Sequence, residues 1–218
     1  MTRRRVQTIA LAVSAYFLVT GCGDDGGEGG ESGQLPEGCA EVEAPAPKPQ
    51  QAHESKGELS GPASATVETS CGDFVIELDT EGSPLTTASF AGLAEQGFYD
   101  DTAFHRIEPG FVIQGGDPTG GGSGGPGYFV DEPPPQDLAY LRGTVAMAKT
   151  AAEPPGRSGS QFFVVVAPAD AGLTPDYALL GEVSEGLDVV ERIVELGSPG
   201  GEPTAPVVIE TIQVEDDA

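Results

Sequence analysis

The stretch "FHRIEPGFVIQGGD", Phe104 to Asp117, holds two short apolar runs on either side of a Pro-Gly turn. That pattern predicts two paired strands. One positive charge, Arg106, lies between Phe104 and Phe111, in a chain of 218 residues with 35 acidic and only 10 basic side chains. A strand arginine can simply snorkel to the surface. It can also be a cation set in an apolar cleft to act on something, and the rest of the chain separates the two.

Composition divides the chain into three parts. Residues 1–21 carry "MTRRR" and then an apolar run from Val6 to Thr20, too short for a comfortable membrane span. The run ends in "VTGC", Val19 to Cys22, which resembles the lipobox of bacterial lipoproteins. That resemblance implies cleavage before Cys22 and acylation of its thiol; a plain secretory signal is the alternative. Residues 22–62 are rich in Gly, Glu, Pro and Ser and read as a flexible, lipid-anchored linker. Residues 63–218, roughly 155 in number, are patterned for folding and can bury one core. The expected location is the extracytoplasmic face of the bacterial cell membrane.

Losing the three arginines of the leader leaves 7 basic against 35 acidic residues, a net charge of −28. Such a surface repels nucleic acid and anionic lipid alike, so the lipid on Cys22 must do any anchoring. Setting Cys22 aside leaves Cys39 and Cys71, an even pair that an oxidising compartment would join; two free thiols are the alternative. The histidines, His53 and His105, have no metal-ligand spacing, so neither metal nor cofactor is expected.

Eight strand-like runs follow one another: "SATVETS", "DFVIELD", "TAFHRIE", "GFVIQGG", "GTVAMAK", "SQFFVVVA", "YALLGEVS" and "PVVIETIQVE". A first helix fits residues 83–97, with Ser83 as N-cap, Pro84 at the first position and Gly97 as stop; Leu85, Phe90, Leu93 and Ala94 share its apolar face. A second fits "GLDVVERIVELG", with Val189, Val190, Ile193 and Leu196 at helical spacing. The count predicts an all-β fold, a closed or nearly closed barrel with two helices as plugs. "PTGGGSGGPGYF", Pro118 to Phe129, lacks the lysine of a phosphate-binding loop and reads as a permissive surface loop beside a groove.

Four stretches carry a resemblance: "FHRIEPGFVIQGGDP", "GTVAMA", "GSQFFVVV" and "LTPDYALLGEV". Together they resemble the cyclophilin family of peptidyl-prolyl cis-trans isomerases, over essentially all of residues 65–215. The resemblance implies an eight-stranded antiparallel β-barrel capped by two α-helices, with proline-containing polypeptides as partners. It places Arg106 at the catalytic arginine with Phe111 and Gln114, the glutamine being the expected holder of the guanidinium. Val112, Phe163 and Leu173 would line the proline cleft. Gln161 and Tyr177 would wall it, and Ala148, Lys149 and Thr150 would form the rim for the residue before proline. His105 reads as a packed strand histidine turned away from the cleft.

This chain has Gly172, Tyr177, Lys149 and Val112 where well-known eukaryotic relatives have tryptophan, histidine, asparagine and methionine. Weak cyclosporin binding and an altered substrate preference are expected from those changes. The implied activity is isomerisation of Xaa-Pro bonds in exported or cell-surface proteins, by a monomer. A proline-peptide-binding module with incidental catalysis is the rival reading. Retention of the arginine–glutamine pair favours the enzyme.

Overall fold

Strand β1 (Ala63–Thr69) turns through Ser70 and Cys71 into β2 (Gly72–Leu78), with Thr69 opposite Gly72. Side chains alternate across both strands: Ala65, Val67, Phe74, Ile76 and Leu78 are buried, while Glu68 and Glu77 face outward. The remaining strands are β3 (Thr102–Ala103), β4 (Arg106–Glu108), β5 (Val112–Gly115), β6 (Val130–Asp131), β7 (Thr144–Met147), β8 (Arg157–Ser158), β9 (Phe162–Val165), β10 (Leu179–Glu185) and β11 (Val208–Asp216). Two helices, α1 (Pro84–Glu95) and α2 (Leu187–Val194), complete the set. This is a computed structural model, and it describes residues 34–49 and 59–216. The expected signal peptide, Cys22 and residues 22–33 and 50–58 of the expected linker lie outside the described residues.

Nine strands form one antiparallel sheet in the order β3-β11-β1-β2-β10-β7-β9-β5-β4, and β6 pairs with β8 apart from it. The two edge strands, β3 and β4, are separated by only Phe104 and His105. They are the two halves of the single expected run "TAFHRIE". Its first half pairs with β11 (Ala103 opposite Val208), and its second half pairs with β5 (Arg106 opposite Gln114). A further bridge joins Ala103 to Asp117, in register with the β4–β5 pairing. One chain segment thus links both ends of the sheet and closes the curl. Counted as one bent strand, β3 and β4 bring the total to the eight that the sequence predicts. The bend falls where the segment changes partner, which its apolar pattern does not encode.

β9 is buried on both faces, and its alternation separates two cores. Phe162 and Val164 point into the main core with Val145, Met147 and Ile113. Phe163 and Val165 point to a second cluster with Val112, Tyr140 and Ala146. Helix α1 plugs the barrel, and every residue from Thr86 to Ala94 is buried. Phe90 meets Phe162 edge-on at 5.7 Å between ring centres.

The expected apolar face of α1 needs one correction: Leu85 is 46% exposed. It sits in the first turn, where Glu132 reaches across to accept from the Leu85 and Thr86 backbone N–H groups at 3.1 and 2.7 Å. That carboxylate caps the helix, and Ser83 makes no side-chain cap bond. A negative charge there also complements the helix dipole. In α2, Val189, Val190 and Ile193 are buried as the spacing predicts, and Leu196 is buried in the turn that follows.

Residues 34–49 do not behave as the composition predicts. Leu35 and Cys39 pack against the main core, and Cys39 is bonded to Cys71. The Ala40 N–H donates to the Ser70 carbonyl at 2.7 Å and the Lys48 N–H to the Pro118 carbonyl at 2.7 Å, while Lys48 Nζ donates to the Asp100 carbonyl. Arg192 of α2 donates to the Cys71 carbonyl at 2.6 Å and lies against Gly38. Five distant residues, Ser70, Cys71, Asp100, Pro118 and Arg192, fix a segment whose own composition has no strand or helix signal.

The disulfide spans a sequence separation of 32 residues. In the chain-entropy account its closure stabilises the fold by about 3–4 kcal/mol. A Cys39→Ser, Cys71→Ser variant is therefore expected to lose about 3–4 kcal/mol of stability and to unfold at lower denaturant. An unchanged midpoint in urea titration would show that the bond contributes nothing.

Candidate active site

β4 and β5 bring Arg106 and Gln114 opposite each other, and the Pro109-Gly110 turn between them carries Phe111 to the mouth of the same hairpin. β9 adds Phe163, β7 runs out into Ala148 and Lys149, and the loop before β10 adds Leu173 and Tyr177. These residues, with Val112, line one cavity of about 100 Å³. Nine of the eleven residues expected at the site meet there. Thr150 and Gln161 do not. They line an adjoining cavity of about 310 Å³ that shares Gln114, Ala148 and Lys149 with the first.

The floor of the smaller cavity is apolar and rigid. Phe163 and Val112 are almost fully buried, and Tyr177 meets Phe163 edge-on at 5.5 Å. Tyr140 beneath them accepts from the Tyr177 N–H at 3.0 Å and donates to the Tyr177 carbonyl at 2.6 Å. Burial pushes the Tyr140 phenol up to about 12, so it stays a donor. The Lys149 ammonium lies 5.4 Å from the centre of the Tyr177 ring and donates to the Glu153 carbonyl at 3.2 Å. Lys149 is thus folded over the rim.

Arg106 overhangs this floor with its guanidinium carbon 5.3 Å from the centre of the Phe111 ring. Its Nη2 donates to Glu108 at 2.5 Å. The expected holder, Gln114, instead donates to Gln161 at 3.0 Å, and Gln161 donates onward to the Gly124 carbonyl at 2.8 Å. Glu108, two residues along the same strand, shares the face of Arg106, as the cross-strand partner Gln114 also does, and the glutamate adds a charge that an amide lacks. Glu108 was absent from the sequence-based site, although its strand spacing from Arg106 was the signal that could have found it. With side chains 40% and 31% exposed, the ion pair is worth at most about 1 kcal/mol to the fold. A cation–π contact at such a site adds about 0.5–1 kcal/mol. Neither contact is a stability device.

The glycine-rich loop is more than permissive. Residues 122–129 line the larger cavity, and Asp117 organises them. One of its oxygens accepts from the Thr119 N–H and hydroxyl at 2.7 and 2.8 Å, and the other accepts from the Gly124 N–H at 3.1 Å. A Cβ on Gly124 would stand 2.1 Å from that carboxylate, so only glycine fits. Burial pushes the Asp117 carboxyl up, but these bonds outweigh it and hold it below the usual value. His105 packs under Gly122, outside the residues that line either cavity. Burial lowers its pKa and Arg106 adds to that, against the opposing pull of Asp117. That placement agrees with the expectation of a packed histidine turned from the cleft.

A donor poised over an apolar, proline-sized socket fits known proteins. Residues 64–214 match the family model described as cyclophilin type peptidyl-prolyl cis-trans isomerase/CLD. The chain is 42% identical over 178 residues to peptidyl-prolyl cis-trans isomerase A of Mycobacterium tuberculosis, covering 70% of this chain and 92% of that protein. Among solved structures it is similar to a Cryptosporidium parvum cyclophilin type isomerase, with TM-score 0.65 and 31% identity over 72% of this chain and 99% of the other. That isomerase in the presence of the dipeptide Ala-Pro gives TM-score 0.64, again at 31% identity, over 71% and 99% of the two chains. Sequence, fold and cleft agree, and the chain belongs to the cyclophilin-type peptidyl-prolyl cis-trans isomerases.

Proposed function

We propose that this isomerase acts on Xaa-Pro bonds of exported or cell-surface polypeptides, with Arg106 as its catalytic cation. The observation that carries the mechanism is the guanidinium of Arg106 above Phe111, at the edge of the Val112–Phe163–Leu173 socket. Rotation about an Xaa-Pro bond meets a barrier near 20 kcal/mol because amide resonance must break. As the bond twists, the proline nitrogen regains its lone pair and accepts a hydrogen bond. A donor aimed there stabilises the twisted amide more than either planar form, which lowers the barrier.

The socket removes water from the pyrrolidine ring and so strengthens that contact. Gln114, held by Gln161, presents its amide to the substrate backbone. Ala148, Lys149 and Thr150 form the rim along which the residue before proline lies. No proton is transferred and no covalent bond is made, so the residues named are sufficient.

Three features support work outside the cytoplasm. They are the leader and "VTGC" sequence at residues 1–22, the mature charge of −28, and a disulfide of a kind that persists where thiols are oxidised. In this reading the acylated Cys22 tethers a monomeric catalytic domain near the membrane, where slow proline steps of newly exported chains last tens of seconds.

The Arg106→Ala variant of the full chain in detergent micelles is expected to lose most turnover of an Ala-Pro peptide, on the order of a hundredfold. Its circular dichroism and Tm should match the parent's, because the arginine contributes little to the fold. Undiminished turnover would reject the assignment.

Turnover should be flat from pH 6 to 8, since no proton moves. Stability should not be flat. His105 has a folded pKa below its unfolded value, so its contribution is complete above about 6.5 and is lost as pH falls from there through the folded value. Asp117 adds a second loss below about 4 by the same sign. Tm measured from pH 8 to 3 should fall in that order, and a Tm that rises on acidification below 6.5 would contradict it.

For the tether, Cys22→Ser should abolish labelling by radioactive palmitate and release the protein from the membrane fraction. Retention of both label and membrane location in that variant would reject the anchor.

A further inference from the structure

We propose that Glu108 is the positioning residue for the catalytic arginine, in the place that the hairpin register offers to Gln114. The inference rests on Arg106 being the catalytic cation. Ile107 is fully buried in the main core and locks β4, so Arg106 and Glu108 emerge on one face two residues apart. Glu108 Oε2 lies 2.5 Å from Arg106 Nη2.

Two other contacts restrict the arginine without directing its donors. The Phe111 ring lies 5.3 Å from the guanidinium carbon. Gly201 backs the stem, where an added Cβ would come within 3.0 Å of Arg106 Cγ, and its carbonyl accepts from the Ile107 N–H at 2.8 Å. Phe111 fixes the plane and Gly201 fixes the stem. Glu108 engages one specific donor of the fork, Nη2, and so fixes the rotation of the guanidinium within its plane. Gln114 donates its amide N–H to Gln161, and the guanidinium Nη2 of Arg106 donates to Glu108.

A carboxylate beside a catalytic cation has two opposed effects. It cancels part of the cation's field, and it keeps a many-rotamer side chain in one orientation. The target decides between them. The proline nitrogen of a twisted amide is neutral, so it responds to a short, directed N–H contact and little to net charge. Orientation therefore outweighs charge cancellation, and the pair increases turnover.

The test compares Glu108→Ala, Glu108→Gln, Arg106→Ala and the Arg106→Ala, Glu108→Ala double variant of the full chain. An Ala-Pro peptide is the probe, with exchange NMR to read residual rates. Glu108→Ala is expected to lower kcat on the order of tenfold, with KM and Tm unchanged. Glu108→Gln, whose amide oxygen still accepts, should stay within about threefold of the parent. In the Arg106→Ala background the removal of Glu108 should cost nothing further, because its effect runs through the arginine.

Parental kcat in Glu108→Ala would overturn the inference. So would an equal loss with and without Arg106, or an equal loss in the alanine and glutamine variants. Each of these results, found alongside an impaired Arg106→Ala, leaves the assignment of Arg106 standing. Parental turnover in Arg106→Ala itself would instead remove that assignment, and this one with it.

Discussion

Closure of the barrel through residues 102–108 is the constraint on which the rest of the structure depends. Thr102 and Ala103 hydrogen-bond with β11, and Arg106 to Glu108 with β5, so both ends of the sheet are stitched by one short segment. Every residue in it has a fixed side. Phe104 and Ile107 are held in the core, His105 fills the bend, and Arg106 and Glu108 are left on the outer face. A hydrophobic anchor of about 1.5–3 kcal/mol per buried side chain therefore sets the position of a cation that contributes little to stability. Arg106 is placed by its neighbours' burial, not by its own.

The same economy runs through the second core. Alternation along β9 gives Phe162 to the barrel interior and Phe163 to the cleft, so one strand builds the main core on one face and the cleft floor on the other. Tyr140, deep in that cluster, spends its hydroxyl on the Tyr177 backbone and holds the cleft wall still. The adjoining cavity is controlled differently, through a buried carboxylate. Asp117 fixes the Gly124 peptide, Gly124 accepts from Gln161, and Gln161 accepts from Gln114. A polar chain of that length links the glycine-rich loop to the β4–β5 hairpin, and each member has a partner.

Most of the site is legible in the chain because four short segments carry the resemblance to the cyclophilin family, and that resemblance names the cleft residues one by one. Arg106, Phe111, Val112 and Gln114 come from one hairpin, and two-residue periodicity says which of them share a face. Glu108 obeys the same periodicity, but a glutamate in so acidic a chain carries no signal of its own. Leu85 shows the opposite error: helical spacing puts it on the buried face, yet it lies in solvent in a first turn capped by the carboxylate of Glu132, just past β6.

The sequence by itself determined the eight strand runs, the two helices and the cysteine pair. These follow from local periodicity, from turn residues and from composition, all of which act within a few positions. The cleft residues are legible only through the resemblance of four motifs to a known family. Only the tertiary structure decided that one run bends to close the barrel, that Glu108 rather than Gln114 holds Arg106, and that residues 34–49 lie against the domain. Those outcomes depend on contacts between positions far apart in the chain, such as Lys48 with Pro118 and Arg192 with Cys71. Hydrogen-bond donors choose among acceptors by distance and charge in three dimensions, and no local pattern carries that information.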